Sequence, residues 1–347
     1  MRWPTLTSSP KETALTLGLG ALGALVAWGV NAPVYILLGP ALAVTLAGIA
    51  GMRTSIDPTL RNTCFVLLGT AVGAGFDQDA LGAMLRWPLA FVFMAAVIWA
   101  IMVACRAVLQ RFFGFDARSA LLASAPGHLS FVMAIAAETR SDVARISVTQ
   151  SVRLLALTLV VPFAALAMGV DLGGRMVLPG AAMALGPMGV VIVLGLGLGV
   201  IFGRLNVPAP LLLGPMVVSA LAHLTGVVTG TLPAWLLLPA YLVLGALIGT
   251  RFSGVPLARF VSGLGAGVVI TVIAVVMAGL GALPVAWALG MPLAHVLVAF
   301  APGGLETMIA IGVVLGVIPG FVAACHIARL LVLSVYLPMM LARLNPR

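Results

Sequence analysis

Two short stretches hold most of the chemistry this sequence offers: Ala125-Pro126-Gly127-His128-Leu129-Ser130 and Ala301-Pro302-Gly303-Gly304-Leu305-Glu306-Thr307. Each places Pro-Gly inside an apolar run, where proline ends the helical hydrogen-bond ladder and frees backbone groups that need protein, water or a ligand as partner. A helix restarting after each turn presents unsatisfied N–H groups and the positive end of its dipole, which attract anions. Downstream of each turn lies an arginine-bearing segment, with Gln150 and Arg153 in one and His326 and Arg329 in the other, each pair spaced i,i+3 so that it shares one helix face. A guanidinium within hydrocarbon costs roughly 2.5–3.5 kcal/mol even on insertion scales, so both arginines must face a partner or a wet cavity. Two readings stand: together with the turns they bind a small anionic ligand, or they act as structural clamps that tie down carbonyls at the turns or pair with Glu306.

Glu306 is the sole acid in the second half of the chain. In the first turn of a restarted helix the dipole favours its ionised form. It reads as the group that couples to a proton or cation, or else as a helix cap or arginine partner. Its counterpart is Ser130, which makes the pair of stretches asymmetric. The candidate ligand site is therefore Pro126, Gly127, His128, Ser130, Gln150, Arg153, Pro302, Gly303, Gly304, Glu306, Thr307, His326 and Arg329, with Glu306 as the coupling residue. Glu138, Arg140, Asp142 and Arg145 read as a solvated loop.

The elements that must position these residues are membrane helices. The chain is 62% hydrophobic and 8% charged, with a mean hydropathy of +1.22, too apolar to cover a soluble globule. Its 18 basic against 9 acidic residues are scattered singly through loops, a pattern that sets membrane orientation. Cys64, Cys105 and Cys325 stand apart in apolar runs and read as packing thiols, and His128, His223, His295 and His326 lack metal-ligand spacing, so neither a cofactor nor a metal is expected. Apolar segments fall near 13–30, 34–52, 59–76, 88–110, 119–139 and 144–169, then near 186–203, 210–228, 234–252, 257–282, 292–316 and 318–342.

The two sets are copies. At an offset of 175, Asn31-x-Pro33 meets Asn206-x-Pro208 and Leu37-Leu38-Gly39-Pro40 meets Leu212-Leu213-Gly214-Pro215; at 176, Leu68-Gly69 meets Leu244-Gly245 and Arg153-Leu154-Leu155 meets Arg329-Leu330-Leu331. The expected organisation is an all-α polytopic membrane protein with a first repeat over 1–175 and a second over 176–347. If all twelve segments cross, basic residues divide 10:6 between the two sides; if segments 119–139 and 292–316 dip in and return, the split is 14:2. The positive-inside bias favours the second arrangement, which is five spans and one re-entrant hairpin per repeat, with the repeats inverted and both termini cytoplasmic. Twelve spans in parallel repeats are the alternative. Gly195, Gly199 and Gly203 form GxxxGxxxG on one helix, a close-packing face within the bundle or between protomers of a homodimer.

The two-copy pattern of N-x-P, LLGP, LG-x3-G and A-P-G-[GH]-L followed by an arginine-bearing helix resembles the bacterial AbrB-duplication membrane proteins, over nearly the whole chain. Members of that family also carry the labels AbrB family transcriptional regulator and ammonia monooxygenase. The family pattern places Glu soon after Pro-Gly-Gly-Leu, which the second copy keeps as Glu306 and the first replaces by Ser130. The residues oppose both labels: no loop is long enough to fold a DNA-binding module, and no set of histidines or carboxylates stands at ligand spacing for a redox metal. The expectation is a secondary transporter of a small anionic solute in a bacterial inner membrane, binding no nucleic acid directly and coupled to a proton or cation. Its rivals are a membrane-embedded ligand sensor and, least of all, a membrane monooxygenase.

Overall fold

Proline and glycine decide where the helices stop. In the computed structural model, which describes residues 9–76, 87–127, 129–139, 141–169, 180–207 and 209–344, fourteen α-helices account for nearly all regular structure among the described residues. They are α1 (Pro10–Gly29), α2 (Tyr35–Ile49), α3 (Pro58–Gly73), α4 (Trp87–Phe113), α5 (Ala117–Ser124), α6 (Leu129–Glu138), α7 (Val143–Ala167), α8 (Leu185–Arg204), α9 (Pro210–Leu224), α10 (Ala234–Gly249), α11 (Leu257–Leu289), α12 (Leu293–Phe300), α13 (Leu305–Val314) and α14 (Pro319–Ala342). One isolated bridge pairs Ala182 with Thr231.

Seven of these segments are long and apolar enough to cross a membrane: α1, α4, α7, α8, α10 with its terminal turn to Phe252, α11 and α14. Their large exposed apolar side chains, such as Leu22, Val26, Val193 and Leu280, suit hydrocarbon. The ten spans expected from the sequence include three shorter helices, α2 and α9 at 15 residues and α3 at 16. At 1.5 Å per residue a 15-residue helix covers only about 22 Å. The reason is local. Asn31 and Val34 before α2, and Asn206 and Ala209 before α9, adopt positive φ, and Gly51 and Gly226 end the same helices at positive φ. A left-handed residue just past a helix stops it, and glycine takes that conformation at no steric cost.

By packing the chain groups into two units, each drawn from both halves of the sequence: Met1–Gly75 with Gly174–Leu257, and Phe76–Gly173 with Ala258–Arg347. This grouping by compactness cuts across the division at residue 175.

In the first unit α1 packs on α2, α8 on α9, α3 on α9 and α10 on α2. The contacts are backbone to backbone. A Cβ added at Gly69 on α3 would collide with the Leu212 carbonyl on α9, and one at Gly245 on α10 with the Leu37 carbonyl on α2. Shifting by 175 or 176 turns one contact into the other. Close approach of this kind gains dispersion where lipid supplies no hydrophobic drive.

The second unit holds α4 to α7 and α11 to α14, and its first short helix is fixed at both ends. Asp116 caps α5, accepting from the backbone N–H groups of Arg118 and Ser119 at 3.1 and 3.0 Å. Partial burial raises the Asp116 carboxyl, but hydrogen bonds from Ser119 and Arg118 outweigh it, so it titrates below its ordinary value. Ser119 Oγ in turn accepts from the Asp142 amide at 3.0 Å, so the beginning of α5 lies beside the end of the α6 segment. Arg145, expected in a solvated loop, instead sits in the first turn of α7. Its guanidinium donates to the Gly114 carbonyl at 3.1 Å and to the Phe113 carbonyl, and stacks 3.9 Å from the Phe115 ring. The chain end of α4 needs such a donor, because the last helical carbonyls have no partner within the helix.

Two glycine exchanges test this packing. Ala209→Gly removes left-handed strain at an alanine and should raise stability by about 0.5–1 kcal/mol. Gly245→Ala drives a methyl into the α2 backbone and should lower it by about 1–3 kcal/mol. Thermal unfolding in detergent measures both, and equal effects would contradict the assignment.

Candidate functional site

The residue before a proline is pushed out of the helical region. Ala125 (φ −64°, ψ 117°) therefore ends α5 one residue before Pro126, and Ala301 (φ −54°, ψ 126°) ends α12 one residue before Pro302. Each proline then occupies the centre of a three-residue turn. The Gly127 amide donates to the Ala125 carbonyl at 3.0 Å, and the Gly303 amide to the Ala301 carbonyl at 2.8 Å. Proline's fixed φ matches the inverse γ-turn, which explains why the same turn forms twice.

These two carbonyls are the anchor points of the site. Arg153 Nη1 donates to Ala125 O at 3.1 Å, and Arg329 Nη1 to Ala301 O at 2.8 Å. Arg329 Nη2 also reaches Ala299 O at 3.0 Å, while Arg153 Nη2 reaches Gln150 Oε1 at 2.6 Å. Gln150 Nε2 completes the first clamp by donating to Leu122 O, Ala123 O and Ala125 O at 2.9, 3.3 and 3.0 Å. Both guanidiniums are therefore set against the carbonyl ends of short helices, where the dipole stabilises positive charge.

Arg153 and Arg329 are exposed by only 1% and 2%, and Gln150 and His326 by 0% and 2%. No carboxylate pairs with either arginine among the described residues. Glu306, half-buried in the first turn of α13, makes no hydrogen bond or ion pair among the described residues, so it neither caps the helix nor pairs with Arg329. Gly304 at the N-cap offers no side chain either, and the first helical bond there is Met308 N to Gly304 O at 2.9 Å. The amides of Leu305, Glu306 and Thr307 are left without helical partners.

The turns pack across the halves. Gly127 abuts Leu333 of α14, the helix bearing Arg329, and Gly304 abuts Leu154 of α7, the helix bearing Arg153. Pro126, Pro302 and Gly303 are buried, and Thr307 is half-buried beside Gly304. His128 lies outside the described residues, and so does the side chain of Ser130. The remaining candidates gather in one unit around the two turns.

Sequence reasoning passed over one member. Thr149 Oγ1, fully buried on α7, makes no hydrogen bond, and neither do Arg153 Nε and His326 Nε2. Other orphaned polar atoms are dispersed through both units, whereas these three belong to the two helices that clamp the turns. Its place directly before Gln150 on the arginine-bearing helix was the available signal. Beside the second turn, a cavity of about 30 Å³ is lined by Ala301, Val298, Val161 and Ala165; it is apolar and has room for about one water.

Fold and site together define an all-helical protein whose seven long apolar helices fit a multi-pass membrane protein, with a buried cationic site at two proline turns. The chain belongs to the AbrB family: the family model described as transition state regulatory protein AbrB matches residues 36–345. It is 30% identical to the "Uncharacterized protein YhjN" of Bacillus subtilis (strain 168) over 255 residues, covering 67% of this chain and 64% of that protein. It is 32% identical to the "Putative regulator AbrB" of Escherichia coli (strain K12) over 157 residues, covering 43% of this chain and 44% of that protein. The chain thus spans less than two thirds of the length of either relative.

Removing Gln150 from the first clamp should cost stability, because it takes the acceptor from Arg153 Nη2 and the side-chain donor from the Leu122 and Ala123 carbonyls. Gln150→Leu is expected to lower unfolding free energy by about 2–3 kcal/mol. Glu306→Gln, whose carboxylate has no partner, should change it by less than about 0.5 kcal/mol. Denaturant titration in detergent compares them, and a reversed order would refute these assignments.

Proposed function

We propose that this protein is a secondary transporter of a small anionic solute in a bacterial inner membrane. The observation that carries the reading is the pair of buried guanidiniums, held at two matching proline turns with no carboxylate among the described residues to neutralise them. Uncompensated buried charge is costly, and intramembrane ionisable groups mark solute pathways. An anion at the turns would satisfy the free amides of α13, Arg153 Nε and Thr149 Oγ1 together. Because the side chains that would hold it are buried, the state described is closed, and entry requires movement of the surrounding helices.

The membrane arrangement belongs to the same proposal. The repeats are inverted, each with five spans and a hairpin that returns to its own side, with N- and C-termini cytoplasmic. Three observations support it: the 14:2 distribution of basic residues, the reciprocal Gly69–Leu212 and Gly245–Leu37 contacts, and the Ser119–Asp142 bond that brings the first hairpin's ends together. Inverted repeats with interrupted segments at matching positions are the usual frame of a midplane solute site. Glu306, free and half-buried at the head of α13, would couple the cycle to a proton or cation. The protein acts by binding and translocation rather than as an enzyme, and the glycine face of α8 could also join two protomers.

A sensor that binds the same anion without moving it is the second reading, favoured by the word regulator in the name of the Escherichia coli relative. Counterflow in proteoliposomes separates them. With a panel of labelled carboxylates and amino acids, transport predicts saturable exchange for at least one solute, reduced about tenfold or more in Arg329→Lys, which keeps the charge but loses the planar two-point grip. Stabilisation by a solute with no exchange would establish the sensor instead.

A further inference from the structure

Subtracting 176 from His326 gives Gln150, and from Arg329 gives Arg153, so the two turns carry the same clamp with one substitution. At the first turn the Ala125 carbonyl accepts from three donors: Gly127 N, Arg153 Nη1 and Gln150 Nε2. At the second, the Ala301 carbonyl accepts from Gly303 N and Arg329 Nη1. The third donor is missing there, and the residue at the register position of Gln150 is His326. The reason is the tautomer. Nδ1 lies 2.9 Å from Val322 O, and a carbonyl only accepts, so the single proton of a neutral imidazole is on Nδ1. Nε2 is left with a lone pair, buried and without a hydrogen bond.

We propose that His326 is a proton-operated version of Gln150: when Nε2 takes up a proton from the aqueous phase, the imidazolium donates to the Ala301 carbonyl and adds a third positive charge to the anion site. The amide of Gln150 donates at every pH, so the first clamp is permanent and the second is conditional. The proposal rests on the anion-site reading above. By linkage, the proton and the anion then favour each other's binding equally, which makes His326 a site of proton–anion coupling separate from Glu306.

Of the helices packed on α14, α4 brings Cys105, Arg106 and Arg111, α5 brings Arg118, α12 brings His295 and α13 brings Glu306, while α14 itself holds Cys325, Arg329 and Tyr336. Arg329, three residues further along α14, shares the face of His326, and a bound anion would offset its charge.

Two measurements on the full chain in nanodiscs, purified without a polyhistidine tag, decide the matter. In the first, 15N-histidine NMR across pH, with His326→Gln for assignment, should find Nδ1 of His326 protonated throughout and Nε2 gaining a proton as pH falls. Should that variant fail to fold, the protein with His128, His223 and His295 changed to Gln carries His326 as its one imidazole. An Nε2 that stays bare down to the lowest pH at which the protein is folded overturns the proposal. In the second, thermal stabilisation by sulfate and by succinate is followed against pH. Wild type should bind about tenfold more tightly per unit fall in pH above the titration point of His326, and His326→Gln should be flat. An unchanged slope in His326→Gln overturns the coupling. No stabilisation by either probe at any pH would overturn the anion reading, and the NMR titration would still decide the state of Nε2.

Discussion

The structure of the second unit depends on one interaction made twice, a buried guanidinium donating to the carbonyl that precedes a Pro-Gly turn. Each partner removes the other's difficulty. A proline turn inside apolar surroundings strands the carbonyls at the end of a short helix, and an arginine at that depth needs acceptors. The carbonyl end of α5 or α12 supplies acceptors and a favourable dipole together. What it does not supply is a counter-charge, so the site is closed structurally while remaining electrostatically positive.

That combination reconciles two readings that the sequence left as rivals. Arg153 and Arg329 do tie down the turns, as a structural clamp would, but neither has Glu306 as partner. The clamp and the ligand site are compatible, because carbonyls satisfy hydrogen bonds without cancelling charge. The halves then differ at two positions. Gln150 donates permanently and stands opposite His326, and Glu306 stands opposite Ser130.

Much of the fold was legible because its punctuation is proline and glycine. The ends of α5 and α12 follow from the residue before Pro126 and Pro302, and the repeat is visible from LLGP and LG-x3-G, whose glycines prove to be backbone contact points. The shortness of α2 and α9 was not legible, since it depends on positive φ at Val34 and Ala209, and neither residue type signals that conformation. Arg145 was misread for a related reason. Next to Asp142 and Glu138 it looks solvated, and only the fold brings the Phe113 and Gly114 carbonyls to it. Spacing put Gln150 with Arg153 and His326 with Arg329 on shared helix faces, and turn carbonyls were one of the two partner sets the sequence offered the arginines; that Gln150 joins the first clamp was not legible, because its acceptors lie 25 to 28 residues away in the chain.

The grouping by packing gives this arrangement a physical frame. All of the clamped turns and both arginine helices lie in one compact unit built from both halves, as expected if two antiparallel copies contribute equally to a single site. Sidedness tests that most directly. With the buried native cysteines replaced, Ser141→Cys and Met291→Cys are to be labelled in intact cells by a membrane-impermeant thiol reagent. Antiparallel copies place residue 141 in the cytoplasm, protected, and residue 291 outside, labelled; both residues on one face of the membrane would contradict the account.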